Sequence, residues 1–446
     1  MEKNKTIELK WIGKQEFAVS LDRCCGDSIL HNSDLSYGEV SSPNMLIHGE
    51  SLDVLKILHQ KFHQKIKCIY IDPPYNTGSE FELYDDDIGH AQWLSFMRER
   101  LEILHDLLSL DGIIFVQIDD HEMAYLQLIM DEIFGRGNRI NTICVKMSES
   151  SGVKMSHVAK RLPKIKEYIL CYRRSEDFRF TNILNLPRDN WNNEYKIFLE
   201  NYTIEMHREI KEILRKNQFD SADVVCINHL FKDVRIGSVA QKYKELMLRS
   251  KSDQESWCIK NAWRIVQAVG STSVKRYADM LEKQEQDIAA LLSPTGILYF
   301  YRCNYNKASK QPRVQILFAE DHLSYHPGDF WSDIKTTGGV GQEGGVLFPN
   351  GKKPEKLIER LLNMATNKGD LVLDCFMGSG TTAAVAHKME RKWIGIEKSS
   401  HIKTHARQRL VCVVDGEQSG ISAQKNWSGG GGFQFYEHVF TKTDSD

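Results

Sequence analysis

The chain has 446 residues, 41% of them hydrophobic and 26% charged, with a formal net charge of −2. That length suggests two domains, or one large fold carrying a long insertion, with ample apolar material for a core. No run approaches the roughly 20 apolar residues that span a bilayer, so no membrane association is expected. No apolar segment of the signal-peptide kind follows Met1-Glu2-Lys3-Asn4-Lys5, and a cytoplasmic location is expected. The ten cysteines are scattered without a C-x-x-C pair, and the adjacent Cys24 and Cys25 have the wrong spacing for zinc. Free thiols and no metal site are expected. Charge is uneven: Ser151 to Phe330 holds 29 Lys and Arg against 22 Asp and Glu, leaving the rest acidic. A basic middle can hold a polyanion locally, although a solvated face accounts for it as well.

Residues 1–43 form a lead segment in which Glu8 to Lys14 reads as a short strand and turn, with little periodicity up to Pro43. Residues 44–135 alternate strand and helix. Met45 to His48 is a strand closed by Gly49, and a helix opens at Glu50 with Leu52, Leu55 and Leu58 on one face. Residues 67–71 are a strand. His90 to Leu108 is a helix with Trp93, Leu94, Met97, Leu101, Leu104 and Leu108 at helical spacing. A turn at Asp111-Gly112 leads to a buried strand over 113–118, and a helix from Met123 to Phe134 stops at Gly135. Another strand is expected over 167–173. This alternation implies parallel strands with right-handed crossovers.

Residues 174–330 lose that rhythm. Asn193 to Lys216 and Gln254 to Ala290 are polar and helix-compatible, while Gly296 to Tyr301 and Val314 to Phe318 look like strands. Aromatics lie among bases in Tyr299-Phe300-Tyr301-Arg302 and Lys275-Arg276-Tyr277, a mixture that fits nucleic acid contact or a helical interaction domain. A Gly-rich stretch over 331–345 reads as a mobile loop or linker. The α/β rhythm then returns: a helix opening at Pro354, a strand over 371–374, a Gly-containing turn, a helix from Ala383, a strand over 392–396 ending on Glu397, and a helix from His401. A poly-Gly run at 429–432 precedes a strand-like Phe433 to Val439.

Two constellations carry chemistry. In Cys68-Ile69-Tyr70-Ile71-Asp72-Pro73-Pro74-Tyr75, a strand ends on a carboxylate, and two prolines then fix the exit direction. The corner offers acceptors and a flat aromatic face, which suits a planar ligand bearing an NH₂ group. The bland alternative is a strand-ending turn with a solvated Asp. The second constellation is strand, Gly-turn, helix, strand and acid, ending on Glu397. This is the plan of a nucleoside-binding βαβ unit, with glycines permitting close backbone approach and the acid reaching ribose hydroxyls. The sequence is not G-x-G-x-x-G and lacks G-K-[ST], so neither a dinucleotide nor a P-loop nucleotide is implied. Ligands of open parallel sheets bind at the carboxyl ends of strands, and both constellations are such ends. If 371–397 supplies the first two strands of one sheet and 44–75 the next two, the chain is a circular permutation of one doubly wound domain.

At Ile71 to Gly78, Trp93-Leu94, Ile118-Asp119-Asp120, Pro354 to Ile358 and Asp374 to Thr382, the sequence resembles amino-methyltransferases acting on DNA, in the permuted β-class order. Trp11 to Lys14 and the tail from Asp415-Gly416-Glu417 to Gly432 carry the same resemblance, and within that group the sequence is similar to the modification subunits of type III restriction systems. The resemblance covers about 1–175 and 330–446. It implies an α/β, doubly wound, Rossmann-like methyltransferase sheet, circularly permuted, with an inserted α+β target-recognition domain. The expected segments are a lead over 1–43, a catalytic part over 44–173, target recognition over 174–330 and a cofactor-binding part over 331–446. It implies S-adenosyl-L-methionine as donor and adenine N6 in double-stranded DNA as acceptor, the base being flipped out of the duplex. By the same resemblance Asp72, Pro73, Pro74 and Tyr75 are catalytic. Asp374, Phe376, Gly378, Gly380, Thr381, Thr382 and Glu397 form the donor site, with Glu50 and Lys353 as further donor contacts. Glu50 stands where the family often has Asp. The partners implied are a second copy of the chain and a nuclease-helicase restriction subunit. Cytosine N4 as acceptor, a non-catalytic DNA-recognition subunit and an RNA methyltransferase are the alternative readings.

Overall fold

The computed structural model describes residues 8–14, 28–77, 89–148, 162–182, 185–188, 190–216, 218–282, 284–310, 312–334, 340–348 and 351–440. Cys24, Cys25, Gly78 and residues 335–339 of the Gly-rich stretch lie outside them. The chain forms two compact units, Met1–Leu184 with Pro327–Asp446, and Asn185–His326.

The first unit is built on a ten-stranded sheet. Its order is Ser28–Gly38, Gly432–Val439, Met45–His48, Lys392–Glu397, Leu371–Asp374, Ile66–Ile71, Leu108–Ile118, Lys166–Arg173, Arg139–Lys146 and Phe330–Trp331. The five strands from Met45–His48 to Leu108–Ile118 are mutually parallel. Lys166–Arg173 runs antiparallel beside them. Leu371–Asp374 pairs with Lys392–Glu397 on one side and Ile66–Ile71 on the other. The late segment thus inserts its strands between two early ones, the permuted doubly wound sheet expected from the sequence.

Period-2 alternation explains why these strands are apolar throughout. Cys68 and Tyr70 face one core, with Leu357, Leu361, Ala384 and Leu410 from the helices on that side. Ile69 and Ile71 face another, with Val54, Leu58, Trp93 and Leu101. Both faces are covered, as parallel sheets require. Trp11, in the lead segment, donates from Nε1 to Ser95 Oγ at 2.8 Å, and Lys14 Nζ reaches Glu132 Oε2 at 2.8 Å. The lead thereby clamps helix His90–Leu107. Glu8 to Trp11 is not a strand.

Several expectations need correction. Ser28–Gly38 is an antiparallel edge strand against Gly432–Val439, with a register shift between Asn32 and Tyr37 that blurs its periodicity. Arg139–Lys146 is an additional strand, and Asp111-Gly112 lies within strand Leu108–Ile118. The described end of the Gly-rich stretch is docked rather than mobile. Gly344, at φ +73°, donates to Ser419 Oγ at 2.6 Å and leaves no room for a Cβ against the Arg409 side chain.

The second unit is a six-stranded antiparallel sheet in the order Ile288–Leu292, Leu298–Arg302, Arg313–Phe318, Ile265–Gly270, Ile197–Glu200, Arg235–Ser238. The polar stretches expected to be helical therefore contain strands at Ile197–Glu200 and Ile265–Gly270. These short apolar runs are pulled into the sheet by burial of Leu199, Ile265 and Val266. Tyr301 is buried, and Phe300 packs against Phe231 and Phe318 with ring centroids 5.7 and 5.5 Å away. These two aromatics are core of this unit, not a face for bases. Among the described residues no helix is long and apolar enough to cross a membrane, and all eight described cysteines are free.

Candidate active site

Strand Ile66–Ile71 ends at the Pro73-Pro74 corner, and one buried network holds that corner in place. Trp93 is fully buried and donates from Nε1 to the Pro74 carbonyl at 2.8 Å. That carbonyl already accepts one hydrogen bond, whereas among the described residues no donor reaches the Pro73 carbonyl. Asn76, at φ +57°, turns the chain and donates to Glu122 Oε1 at 2.7 Å. The Asp72 carboxylate receives the Tyr75 hydroxyl on Oδ1 at 2.7 Å and Lys353 Nζ on Oδ2 at 2.7 Å. Its pKa is raised: burial outweighs Lys353 and Tyr75, and the nearby Glu167 carboxylate adds to the rise. The Tyr75 phenol is held well above its ordinary pKa by burial and the two carboxylates, so it stays protonated.

Strand Leu371–Asp374 ends in the same way one strand over. Asp374 accepts from Thr382 Oγ1 at 2.6 Å and from the Phe376 amide at 3.0 Å. With only neutral donors, its burial prevails and pushes the pKa up to about 7. The turn needs its glycines: Gly378 has φ +51°, and Gly380, at φ +80°, stands at the N-cap of helix Thr381–Lys388. A Cβ on Gly378 would meet nothing, because that position borders open space. At the end of Lys392–Glu397, the Glu397 carboxylate accepts the Gly378 amide on Oε2 and the Ser399 amide on Oε1, each at 2.9 Å. This fixes the acid against the turn while leaving lone pairs for a ligand.

These strand ends open on one cavity of about 180 Å³. Asp72, Pro73, Pro74, Tyr75, Asp374, Phe376, Gly378, Thr381, Thr382, Glu397, Glu50 and Lys353 all line it. Gly380 does not; it shapes the turn from behind. Two of the weaker candidates sit differently from expectation. Glu50 caps helix Ser51–Phe62 by accepting from the Leu52 amide at 2.6 Å, and it pairs with Arg100 Nη2 at 2.5 Å. Lys353, expected at the donor, reaches the Asp72 carboxylate. The sequence reading missed Phe96, Phe348 and His401 in the lining, and Glu167 behind Tyr75. His401 is buried, and neither ring nitrogen has a hydrogen-bond partner among the described residues. Burial lowers its pKa.

The lining combines an apolar side (Phe96, Phe348, Phe376) with four carboxylates (Glu50, Asp72, Asp374, Glu397). Carboxylates outnumber the lysines there, which suits a ligand that is cationic, carries hydroxyls and presents a flat base. The position lies outside the carboxyl ends of two adjacent strands, where open α/β sheets bind nucleoside ligands. The fold and site thus define a Rossmann-like protein with a nucleoside-type cavity shared by a carboxylate–Pro-Pro corner.

Residues 66–408 match the DNA methylase family, and the chain belongs to it. It is 36% identical over 425 residues to a Haemophilus influenzae protein named probable type III restriction-modification enzyme HindVI Mod subunit, covering 88% of this chain and 54% of that one. It is 27% identical over 451 residues to the type III restriction-modification enzyme EcoPI Mod subunit of Escherichia phage P1, covering 89% and 64%. Against the type II methyltransferase M.EcaI of Enterobacter cloacae the figures are 25% over 403 residues, covering 88% and 75%. The chain spans about half to two thirds of the length of the two Mod subunits.

Proposed function

We propose that the protein is a site-specific DNA methyltransferase that modifies the exocyclic N6 amine of a flipped-out adenine, as the modification subunit of a type III-like system. The observation that carries this reading is the sharing of one cavity by Asp72 and the Phe376–Thr382 turn with Glu397. S-adenosylmethionine, when bound, supplies a methyl group activated on a sulfonium. Glu397, Asp374, Phe376, Gly378, Thr381 and Thr382 are the residues that would hold it, and the acidic lining fits its charge.

The chain's own contribution is to make a poor nucleophile react. The amine lone pair of adenine is delocalised into the ring. Two acceptors, the Asp72 carboxylate and the Pro73 carbonyl, take the amine hydrogens and favour a pyramidal nitrogen with its lone pair freed. Positive charge developing on nitrogen meets a fixed carboxylate, and the rest is alignment. A base reaches this corner only after leaving the duplex. Asp before Pro-Pro favours adenine over cytosine N4, which the same amine chemistry would serve.

The inserted unit Asn185–His326 is the proposed reader of target DNA. A second copy of the chain and a nuclease-helicase restriction subunit are the proposed protein partners, on the strength of the resemblance to type III modification subunits. The test is expression in a host without adenine methylation, followed by digestion of its DNA to nucleosides and mass analysis. N6-methyladenine at one short sequence is expected, and absent when Asp72→Ala is expressed. N4-methylcytosine would replace the acceptor assignment, and unmodified DNA from a protein that binds labelled donor would overturn the reading.

A further inference from the structure

Methylating an amine leaves a proton to dispose of. The S–CH₃ bond breaks with its electron pair on sulfur, the nitrogen lone pair forms N–CH₃, and one N–H must be given up. We propose that this proton leaves through Asp72 and Tyr75 to Glu167, making Glu167 a positioning and proton-accepting residue that lies outside the Asp72–Tyr75 motif. The inference rests on the methyltransferase reading above.

The geometry is a phenol between two carboxylates. Tyr75 Oη lies 2.7 Å from Asp72 Oδ1 and 2.9 Å from Glu167 Oε2. A phenol has one proton, so it donates to one of these oxygens at a time. The other contact is a full hydrogen bond only when that carboxyl carries a proton. Glu167 is itself held. Gln117 Nε2 donates to its Oε2 at 2.6 Å, and the Gln117 amide is oriented by the Tyr70 hydroxyl, which donates to Oε1 at 2.6 Å. Lys353 Nζ, 2.7 Å from Asp72 and 3.8 Å from Glu167, keeps the two acids close. The Glu167 side chain retains 20% exposure, as does that of Asp72, so the path ends on a second carboxylate that is open to water.

The titratable groups facing Glu167 are Asp72, Tyr75, Tyr70 and Lys353, with Asp374 acting on Tyr70. Its strand neighbours Lys166 and Tyr168 instead engage Asp120, at 2.6 and 2.9 Å.

The step balances. The amine proton passes to the Asp72 carboxylate. That proton then moves to the Tyr75 oxygen as the phenol's own proton moves to Glu167 Oε2. Tyr75 is never left ionised, Asp72 returns to its carboxylate, and Glu167 releases the proton to solvent.

Two measurements on the full chain test this. In the free protein, the infrared carboxyl band that vanishes in Asp72→Asn reports the titration of Asp72. Glu167→Gln removes a neighbouring negative charge, so Asp72 should titrate at lower pH; an unmoved titration would overturn the coupling. In single-turnover transfer of labelled methyl to duplex DNA, Glu167→Gln should slow the step about 10- to 100-fold and alter the acid limb of the pH profile. Donor and DNA affinities should stay within about twofold. Tyr75→Phe cuts the same path without changing charge and decides the matter if Glu167→Gln does not fold. The double variant should be no slower than the worse single one. Wild-type rates in both variants, or an equal loss at every pH with the acid limb unmoved, would overturn the inference. Wild-type protein that binds donor and transfers no methyl would sink the methyltransferase reading itself, and this inference with it.

Discussion

Asp374 and Glu355 belong to the same unit and are 4% and 0% exposed, yet their protons are biased in opposite directions. Burial raises the pKa of Asp374 to about 7: among the described residues only a hydroxyl and an amide bond it, and Asp72 and Glu397 add to the rise. Glu355 is bonded by Lys388 Nζ at 2.8 Å, Arg409 Nη2 at 2.8 Å and the Ile421 amide at 3.1 Å. Its pKa is lowered although its own desolvation is the largest single influence. Burial alone does not decide the charge of a carboxylate; the supply of cations does. Behind the turn the supply is complete: Arg409 continues to Thr381 Oγ1 at 2.6 Å, and Lys388 also meets Glu417. In the cavity it is deficient, which leaves a place for a cationic ligand.

The sharpest way to break this contrast is to delete one acid from each region. Asp72→Ala should cost about 10³-fold or more in single-turnover methyl transfer, with melting temperature and donor binding little changed. Glu355→Gln should do the reverse. It leaves the buried Arg409 with hydroxyl partners and Lys388 with Glu417 as its remaining carboxylate, and should cost about 3–5 kcal/mol of stability by denaturant titration, with lost activity following only from lost fold. A Glu355→Gln protein as stable as the wild type would show that the cluster is not what secures the turn.

Much of the cavity was legible in the sequence, and the reason is local. The strand Cys68 to Ile71, the Pro-Pro corner, the Gly-turn and Glu397 are each defined by neighbours within a few residues, and strand-end logic joins them. What was not legible depends on register between distant strands. Glu167 is one residue of an ordinary strand. It reaches Tyr75 because Lys166–Arg173 runs antiparallel to Leu108–Ile118, with Gln117 opposite Ile169. Lys353 follows residues with little periodicity, and nothing near it in sequence announces the Asp72 carboxylate. The strand Ile265–Gly270 was hidden for a related reason: its β character is decided by the neighbours Ile197–Glu200 and Arg313–Phe318, not by its own polar flanks.

A smaller effect sharpens the comparison at Asp374. Below its unfolded-state pKa near 3.9 the acid is neutral in both states. As pH rises, the unfolded chain ionises first, and the folded protein follows only near 7. The stability tied to the neutral form is therefore lost as pH rises through that window. Asp374→Asn does not titrate, so between pH 5 and pH 8 it should gain about 2–3 kcal/mol relative to the wild type in the free protein. Glu355 predicts the opposite slope: its contribution is present above the ordinary glutamate range and fades as pH falls below it.

The smallest effect tests Lys353, the cation that the cavity places on its reactive acid. Lys353 lowers the pKa of Asp72 against burial, and Asp72 accepts amine hydrogens only as a carboxylate. Lys353→Gln should therefore move the acid limb of methyl transfer to higher pH. The loss would be largest on the acid side and shrink as pH rises and Asp72 ionises with or without its partner. Glu167→Gln should move the same limb down, since it removes a like charge. A donor contact at Lys353, the role its sequence position suggested, would instead raise the donor KM at every pH and leave the limb where it stands. The direction of that limb in the two variants thus tells whether the corner or the donor site is what Lys353 serves.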